Sequence, residues 1–250
     1  MKDFTPLRAF QSIFGTALII ATLFTMWAPS KIFSNEVFNE ALLTMQPDTS
    51  EMSPDPTVTT GPMPHVGIVA GHWGNDSGAV CPDGLTERDI NLRIATMVKQ
   101  SLIKEGYEVD LLQEFDEALN QYEALALVSI HADSCDYIND TSTGFKVAPA
   151  LSLPNKEKSN RLTACLIDRY RRVTGLDFHF NTITDDMTQY HAFEEINSNT
   201  PAAIIEVGFM NLDREILTKQ PDLVAEGIVQ GILCYLRNEP TSLQENPPTE

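Results

Sequence analysis

The sequence has few basic residues for its length. It contains 17 lysines and arginines against 35 aspartates and glutamates in 250 residues, which gives a formal net charge of −18. A strongly negative surface repels the phosphates of nucleic acids and the anionic headgroups of lipids. We therefore exclude DNA and RNA as partners, and we do not expect nonspecific attraction to an anionic membrane surface.

Cysteine is also scarce, and no two cysteines have the CxxC spacing. The four cysteines are Cys81, Cys135, Cys165 and Cys234. Their spacing argues against a zinc ribbon and against a thioredoxin-type redox pair. No internal repeat is evident, and the 42% of apolar residues is enough for one domain of ordinary size with appendages.

One long hydrophobic run lies at the N-terminus, where two basic residues precede an almost uncharged stretch from Ala9 to Ala28. A run of this length can cross the roughly 30 Å hydrocarbon core of a bilayer as a helix. The alternative, a cleaved signal peptide, would have a shorter apolar segment and small residues at the cleavage site, where this chain has Met26. Trp27 suits a membrane interface. We predict an uncleaved single-pass anchor over residues 1–29 with the rest of the chain outside the cytoplasm, or a secreted protein if the segment is cleaved.

Two further segments lack the periodicity of packed structure. Residues 30–63 are rich in proline, threonine and acidic residues, and we predict a flexible linker there. Residues 239–250 are polar and rich in proline, and we predict a disordered tail. Residues 64–238 form the predicted globular domain, which we expect to be a monomer.

Strand-like apolar runs alternate with helical patterns in this domain. Buried strands separated by helices are typical of an α/β fold with a mostly parallel or mixed sheet and helices on both faces. The predicted strands are His65–Ala70, Tyr107–Leu112, Leu125–Ile130, Gly144–Ala148 and Ala202–Val207, and the predicted helices are Thr86–Glu105, Asn155–Val173 and Pro221–Arg237.

Polar side chains fall at the ends of three predicted strands. His72 and His131 each follow a strand, Glu206 lies near the end of the last strand, and Glu87 opens the first helix. Ligand sites in such sheets form beyond the carboxyl ends of the strands. A catalytic zinc typically takes three His, Asp or Glu ligands and leaves a position for water. Two histidines and one carboxylate would supply this set, and the remaining glutamate could take a proton from the water.

Each of these residues also has a purely structural interpretation. His72 could be a turn residue in Gly-His-Trp-Gly, and His131 a hydrogen-bonded histidine at a strand end. Glu87 follows Thr86 in T-E-R-D, a sequence that a helix cap explains by itself. Glu206 fits a structural role least well, because a carboxylate within AAIIEVGF is costly to bury without a partner. The residues alone leave both interpretations open.

Four motifs occur in this order: GHWGNDSGA, the glutamate of TERDINL, SIHADS and EVGFMN. Their order and separation resemble those of the zinc-dependent N-acetylmuramoyl-L-alanine amidases of the amidase 3 type, over nearly the whole domain. By this resemblance His72, Glu87 and His131 correspond to the ligands of one zinc ion, and Glu206 to the catalytic glutamate. The resemblance further implies a sheet of about six strands. It implies hydrolysis of the amide between N-acetylmuramic acid and the L-alanine of the peptidoglycan stem peptide.

Two features depart from the family pattern. Trp73 stands where a glycine usually follows the first histidine, and it is either a stacking surface for substrate or a packed loop residue. The segment LLQEFDEALNQYEALALVSIH has no arginine where the family commonly has them. A second hypothesis is therefore a cell-wall binding or regulatory protein of the same fold with little turnover, and a third is a zinc hydrolase of another amide. His191 could bind substrate or stabilise an oxyanion in the cleft, or it could be a surface histidine.

The predicted metal site suggests how the cysteines pair. If its ligands share a metal ion, Cys81 and Cys135 are drawn into neighbouring loops, and we predict a disulfide between them. A second bond, Cys165–Cys234, would join the second helix to the last. The alternative is that these are small buried apolar residues. An exported domain meets an oxidising environment, which permits both bonds.

Overall fold

The computed structural model describes residues 65–151, 154 and 156–242. The predicted membrane segment over residues 1–29, the predicted linker and most of the predicted tail lie outside the described residues, so they stay predictions. Within the part of the chain that is described, no helix is long and apolar enough to cross a bilayer.

Five strands form one mixed sheet in the described residues, where the resemblance predicted about six. The strand order is β2-β1-β3-β5-β4, and all neighbours are parallel except the antiparallel pair β4 and β5. The strands are β1 (His65–Ala70), β2 (Glu108–Leu112), β3 (Ala126–Asp133), β4 (Lys146–Pro149) and β5 (Ala202–Phe209).

The three predicted long helices are present with nearly the predicted bounds. They begin where the sequence supplies a start signal: the Thr86 hydroxyl accepts a hydrogen bond from the Asp89 amide at the first, and Pro221 occupies the first turn of the last. The helices are α1 (Glu87–Lys104), α2 (Lys156–Thr174), α3 (Asp185–Thr188), α4 (Ala192–Glu195), α5 (Arg214–Lys219) and α6 (Pro221–Leu236), with 3₁₀ turns at Glu117–Leu119 and Phe180–Thr182.

The three long helices α1, α2 and α6 cover one side of the sheet, which we call the helical face. Alternate side chains of β1, β3 and β5 pack there with apolar residues of these helices in the larger core cluster. Buried members from the strands are Ile68, Val128 and Ile205, and buried members from the helices are Ile94, Leu166 and Ile232. Residues 239–242, the start of the predicted tail, return to α2, where the Ser242 hydroxyl donates to Asp168.

Short segments cover the opposite side of the sheet, which we call the irregular face. Val69, Leu127 and Ile204 belong to a smaller core cluster on this side, together with buried residues of the first 3₁₀ turn, α3 and α4. Side chains alternate along a strand, so His131 in β3 and Glu206 in β5 project to this same face. The prediction of helices on both faces therefore holds, but the helices of the irregular face are only single turns.

Candidate metal centre and its surroundings

Three residues that the sequence predicts as ligands come together at the carboxyl end of the parallel strands. His72 follows β1, Glu87 is the first residue of α1 and His131 belongs to β3. One potential ligand atom from each lies within 4.8 Å of the others. The sequence placed His131 after its strand, but β3 continues through it to Asp133, and the register against β5 shifts between these two residues.

Glu87 lies between the two histidines. Its Oε2 is 3.2 Å from His72 Nε2, and its Oε1 is 3.2 Å from His131 Nδ1. The backbone amides of Ala79 and Ala132 donate to the same carboxylate. Burial favours the neutral acid, but the hydrogen bonds from His131 and His72 outweigh it and hold the pKa of Glu87 well below its usual range. Glu87 is therefore an ionised ligand candidate, while the preceding residue Thr86 caps the helix.

His72 is held in a strained turn. Its φ of 64° lies in the left-handed region, which residues other than glycine rarely adopt. The His72 amide donates to Glu114 Oε2 over 2.6 Å, and His72 Nδ1 is 2.6 Å from Asp76 Oδ1. The hydrogen bond with Glu87 raises the pKa of His72 to about 9 in the metal-free chain, against the opposing effect of burial. Carboxylates therefore fix both the backbone and the ring of His72.

Two glycines give the site its close packing. A Cβ on Gly71 would collide with the His131 imidazole, and a Cβ on Gly78 would lie 2.6 Å from Glu87 Oε2. Gly78 also has a φ of 58°, a conformation that favours glycine. Both glycines belong to GHWGNDSGA, so this motif supplies room for the other ligands as well as His72 itself.

Glu206 lies beside His131 on the adjacent strand, with the two Cα atoms in register. The residue as a whole is half-buried, but its Oε2 is buried and has no hydrogen-bond partner among the described residues. Desolvation raises the pKa of Glu206 to about 7, although the nearby charge of His131 acts in the opposite direction. A carboxylate that titrates near neutrality can both accept a proton and give it back.

A further buried carboxylate, Glu114, adjoins the site and was missed by the sequence prediction. Glu114 Oε2 is 3.6 Å from His131 Nε2, and Glu114 Oε1 lies 2.9 Å from both the Tyr190 hydroxyl and His191 Nε2. Burial favours the neutral acid, but these donors, His191 foremost, lower the pKa of Glu114 to about 2. Glu114 stands just past the end of β2, so the signal that located His72, a polar residue after a strand, also applied to it.

His191 and Trp73 lie near the site in different surroundings. Both ring nitrogens of His191 are 2.9 Å from carboxylate oxygens, those of Glu114 and Glu195, and its ring stacks on Phe115 with centroids 4.0 Å apart. Trp73 is partly buried and packs against the core of the helical face, which matches its packed-loop alternative. Substrate contacts of His191 and Trp73 stay predictions.

Both predicted disulfides are present. Cys81–Cys135 joins the loop between His72 and Glu87 to the segment after β3, with Cα atoms 5.3 Å apart. Cys165–Cys234 joins α2 to α6 on the helical face. One bond thus braces the loops of the candidate metal centre, and the other braces the helices behind the sheet.

Comparisons with known proteins point to one family. Residues 66–234 match the family described as N-acetylmuramoyl-L-alanine amidase. The Bacillus subtilis protein YqiI, whose own function is uncharacterised, is 30% identical over 190 residues, which cover 67% of this chain and 82% of that protein. The N-acetylmuramoyl-L-alanine amidase AmiA of Salmonella typhimurium is 26% identical over 153 residues, or 58% of this chain. The match spans only 51% of the length of that amidase.

Solved structures give the same family. The crystal structure of an N-acetylmuramoyl-L-alanine amidase from Clostridium difficile is 26% identical, with a TM-score of 0.57. The alignment covers 72% of this chain and 100% of that chain. The similarity therefore extends over the whole of a solved amidase domain.

Proposed function

The chain belongs to the N-acetylmuramoyl-L-alanine amidase family, and we propose that it is a zinc-dependent amidase of bacterial peptidoglycan. The bond cleaved is the amide between the lactyl group of N-acetylmuramic acid and the L-alanine of the stem peptide. We propose His72, Glu87 and His131 as ligands of one zinc ion and Glu206 as the catalytic residue.

One observation supports this proposal above all. A potential ligand atom from each of the three candidates lies within 4.8 Å of the other two, and Glu206 is on the strand beside them. Two imidazoles and one carboxylate are a donor set that catalytic zinc sites use, and three protein ligands leave a position for water. The buried Glu206 Oε2 also fits, because among the described residues it has no hydrogen-bond partner, and a buried polar atom is costly unless something binds it.

The chemistry divides between the metal and the glutamate. Zinc, when bound, supplies a Lewis acid that polarises a carbonyl group and lowers the pKa of a water molecule. Glu206 accepts a proton from the water molecule while the water oxygen attacks the carbonyl carbon of the lactyl group. Glu206 then delivers that proton to the nitrogen of L-alanine as the C–N bond breaks. The products are a lactyl carboxylate on the glycan and a stem peptide with a free amine.

We also propose that the domain works as a monomer outside the cytoplasmic membrane. The two disulfides support this location, because such bonds persist in oxidising compartments. The hydrophobic run within residues 1–29 would anchor the chain, and residues 30–63 would let the domain reach the cell wall.

Digestion of purified peptidoglycan by the full chain tests the proposed activity. We expect mass spectrometry to detect stem peptides with a free N-terminal L-alanine, in the presence of zinc. A chelator should stop this release, and added zinc should restore it. Glu215→Gln, which changes an exposed carboxylate on α5, is a control that should leave the release unchanged.

Three results would contradict the proposal in different ways. Release that continues at the full rate after chelation would remove zinc from the mechanism. Zinc binding without any release would indicate a cell-wall binding or regulatory protein of the same fold. Peptides cut at a different amide would indicate a zinc hydrolase with another substrate.

A further inference from the structure

Each of the two histidines of the candidate metal centre lies between two carboxylates. Each has one ring nitrogen 3.2 Å from an oxygen of Glu87: Nε2 of His72 and Nδ1 of His131. The second nitrogen of each ring faces another carboxylate. His72 Nδ1 is 2.6 Å from Asp76, and His131 Nε2 is 3.6 Å from Glu114 Oε2.

The second nitrogen of His131 otherwise lacks a partner. His131 Nε2 is buried, and in residues 65–151, 154 and 156–242 no atom accepts a hydrogen bond from it. The Glu114 carboxylate faces it at 3.6 Å, slightly beyond hydrogen-bonding distance, and the charge of Glu206 also acts on the His131 imidazole. In the structure His131 Nδ1 donates to Glu87. To bind a metal ion Nδ1 must present a lone pair instead, and an N–H on Nε2 would then point its positive end at the Glu114 carboxylate.

Glu114 also acts on the other histidine through the backbone. Its Oε2 accepts the amide hydrogen of His72 over 2.6 Å. This hydrogen bond helps to hold His72 at its left-handed φ of 64°, a conformation that is unfavourable for histidine without such support. One oxygen of a buried carboxylate therefore lies close to both histidines.

The position of Glu114 is fixed by a second layer of contacts. The Tyr190 hydroxyl and His191 Nε2 are each 2.9 Å from Glu114 Oε1, and the other nitrogen of His191 is held by Glu195. Tyr190 and His191 precede α4 on the irregular face, far from Glu114 in sequence. Tertiary packing therefore holds the carboxylate at the two histidines.

We propose that Glu114 is a positioning residue of the metal centre, which sets the tautomer of His131 and the backbone conformation of His72. This inference rests on the proposed function. Outer carboxylates that hold the second nitrogen of a ligating histidine typically change metal affinity by about 10- to 100-fold when they are removed. His191 is assigned a supporting role, because it holds Glu114 and contacts neither histidine of the centre through a hydrogen bond in the described residues.

Zinc affinity, measured by competition with a fluorescent chelator, tests this proposal on the full chain. We expect Glu114→Gln to weaken zinc binding by about 10-fold or more. The amide keeps the shape, and its oxygen can still accept from the His72 backbone. The substitution removes the negative charge that faces His131 and places an NH₂ group, instead of an acceptor, opposite Tyr190 and His191. The matched control is Glu117→Gln, an exposed carboxylate in the neighbouring 3₁₀ turn, which should bind zinc with native affinity.

A second readout separates positioning from a general loss of structure. The visible absorption of the cobalt-substituted protein depends on ligand geometry, and we expect it to change in Glu114→Gln and to stay native in Glu117→Gln. If Glu114→Gln does not fold, His191→Gln decides, since it removes one donor to Glu114 and should weaken zinc binding several-fold.

Native zinc affinity together with a native cobalt spectrum in Glu114→Gln would overturn the proposal and leave the proposed function intact. The same result in His191→Gln would overturn it where the first variant cannot be measured. A native chain that binds no zinc and releases no stem peptides would instead overturn the proposed function, and this inference with it.

Discussion

The two faces of the sheet share the same strands but carry different kinds of residue. On the helical face the strands meet long helices through apolar side chains, and a disulfide joins two of these helices. On the irregular face the same strands present Glu206 and two residues that contact Tyr190, Ser129 and His131. The comparison indicates that one face mainly supplies the burial that stabilises the domain, while the other positions ionisable groups.

The largest expected effect concerns Glu206 on the irregular face. Replacing Glu206 by glutamine should lower the rate of stem-peptide release by about 10²- to 10⁴-fold, because the amide cannot accept a proton. Zinc content should stay native, since Glu206 is not among the proposed ligands. The rate is measured by quantifying released peptides, with Glu215→Gln as the control. Release at the native rate by Glu206→Gln would remove it from the mechanism.

The two disulfides allow a direct test of the division between the faces. Each closes a loop of similar length, with sequence separations of 54 and 69 residues. Loss of either bond should lower the free energy of unfolding by about 4 kcal/mol from loop entropy. The double alanine variant of Cys165 and Cys234 should keep native zinc affinity, whereas that of Cys81 and Cys135 should also weaken zinc binding.

Urea unfolding and chelator competition measure these two effects. If the two double alanine variants weakened zinc binding equally, the helical face would also contribute to the geometry of the metal centre. The proposed difference between the two faces would then be wrong.

A smaller effect on stability depends on pH. The pKa of Glu206 is raised from 4.5 to about 7 in the folded, metal-free chain. Between these values the folded protein keeps a proton that the unfolded chain has lost, so stability falls as pH rises. Relative to Glu206→Gln, the native chain should lose at most about 3 kcal/mol between pH 4.5 and pH 7. Unfolding in chelator at both ends of this range measures the difference.

The stability difference between the native chain and Glu206→Gln should change with pH only between pH 4.5 and pH 7. Below pH 4.5 the carboxyl group is neutral in both states, and above pH 7 it is ionised in both, so the difference between native chain and variant should be constant outside this window. A difference that does not change with pH inside the window would show that the Glu206 carboxyl is not destabilised by its surroundings.

The smallest expected effects come from one hydroxyl on each face. On the irregular face the Tyr190 hydroxyl accepts from Ser129 and donates to Glu114, and on the helical face the Tyr170 hydroxyl donates to the Val207 carbonyl over 2.6 Å. Tyr190→Phe and Tyr170→Phe should each cost about 1–2 kcal/mol of stability. Thermal unfolding measures this cost. Only Tyr190→Phe should weaken zinc binding, and an equal effect of Tyr170→Phe would contradict the comparison.

The helical face was predictable because its helices are long. In α1 the spacing of Ile90, Ile94, Val98 and Leu102 repeats over several turns, and these residues are buried in the structure. The irregular face offers no such repeat, because α3 and α4 contain only four residues each. A single turn is too short for periodicity to show, and its position is set by packing against the sheet.

The candidate site was predictable in part for a related physical reason. His72 follows a buried strand and Glu87 opens a helix, so local sequence marks the sheet edge at which they meet. The contact between Glu114 and His191 joins residues 77 positions apart, and no local pattern of the sequence indicates it. Asp76 lies in the first motif, but its contact with His72 depends on the conformation of the turn.

A zinc titration of the metal-free chain tests whether amide hydrolysis depends on one bound zinc ion. Zinc is added in increments to the chelator-treated, dialysed protein, and release of stem peptides with a free N-terminal L-alanine is measured at each step. We expect release to rise with zinc and to reach its maximum when each chain holds one ion, while His131→Ala should show neither tight binding nor release. Full release before any zinc is added, or one tightly bound ion per chain without release, would contradict it.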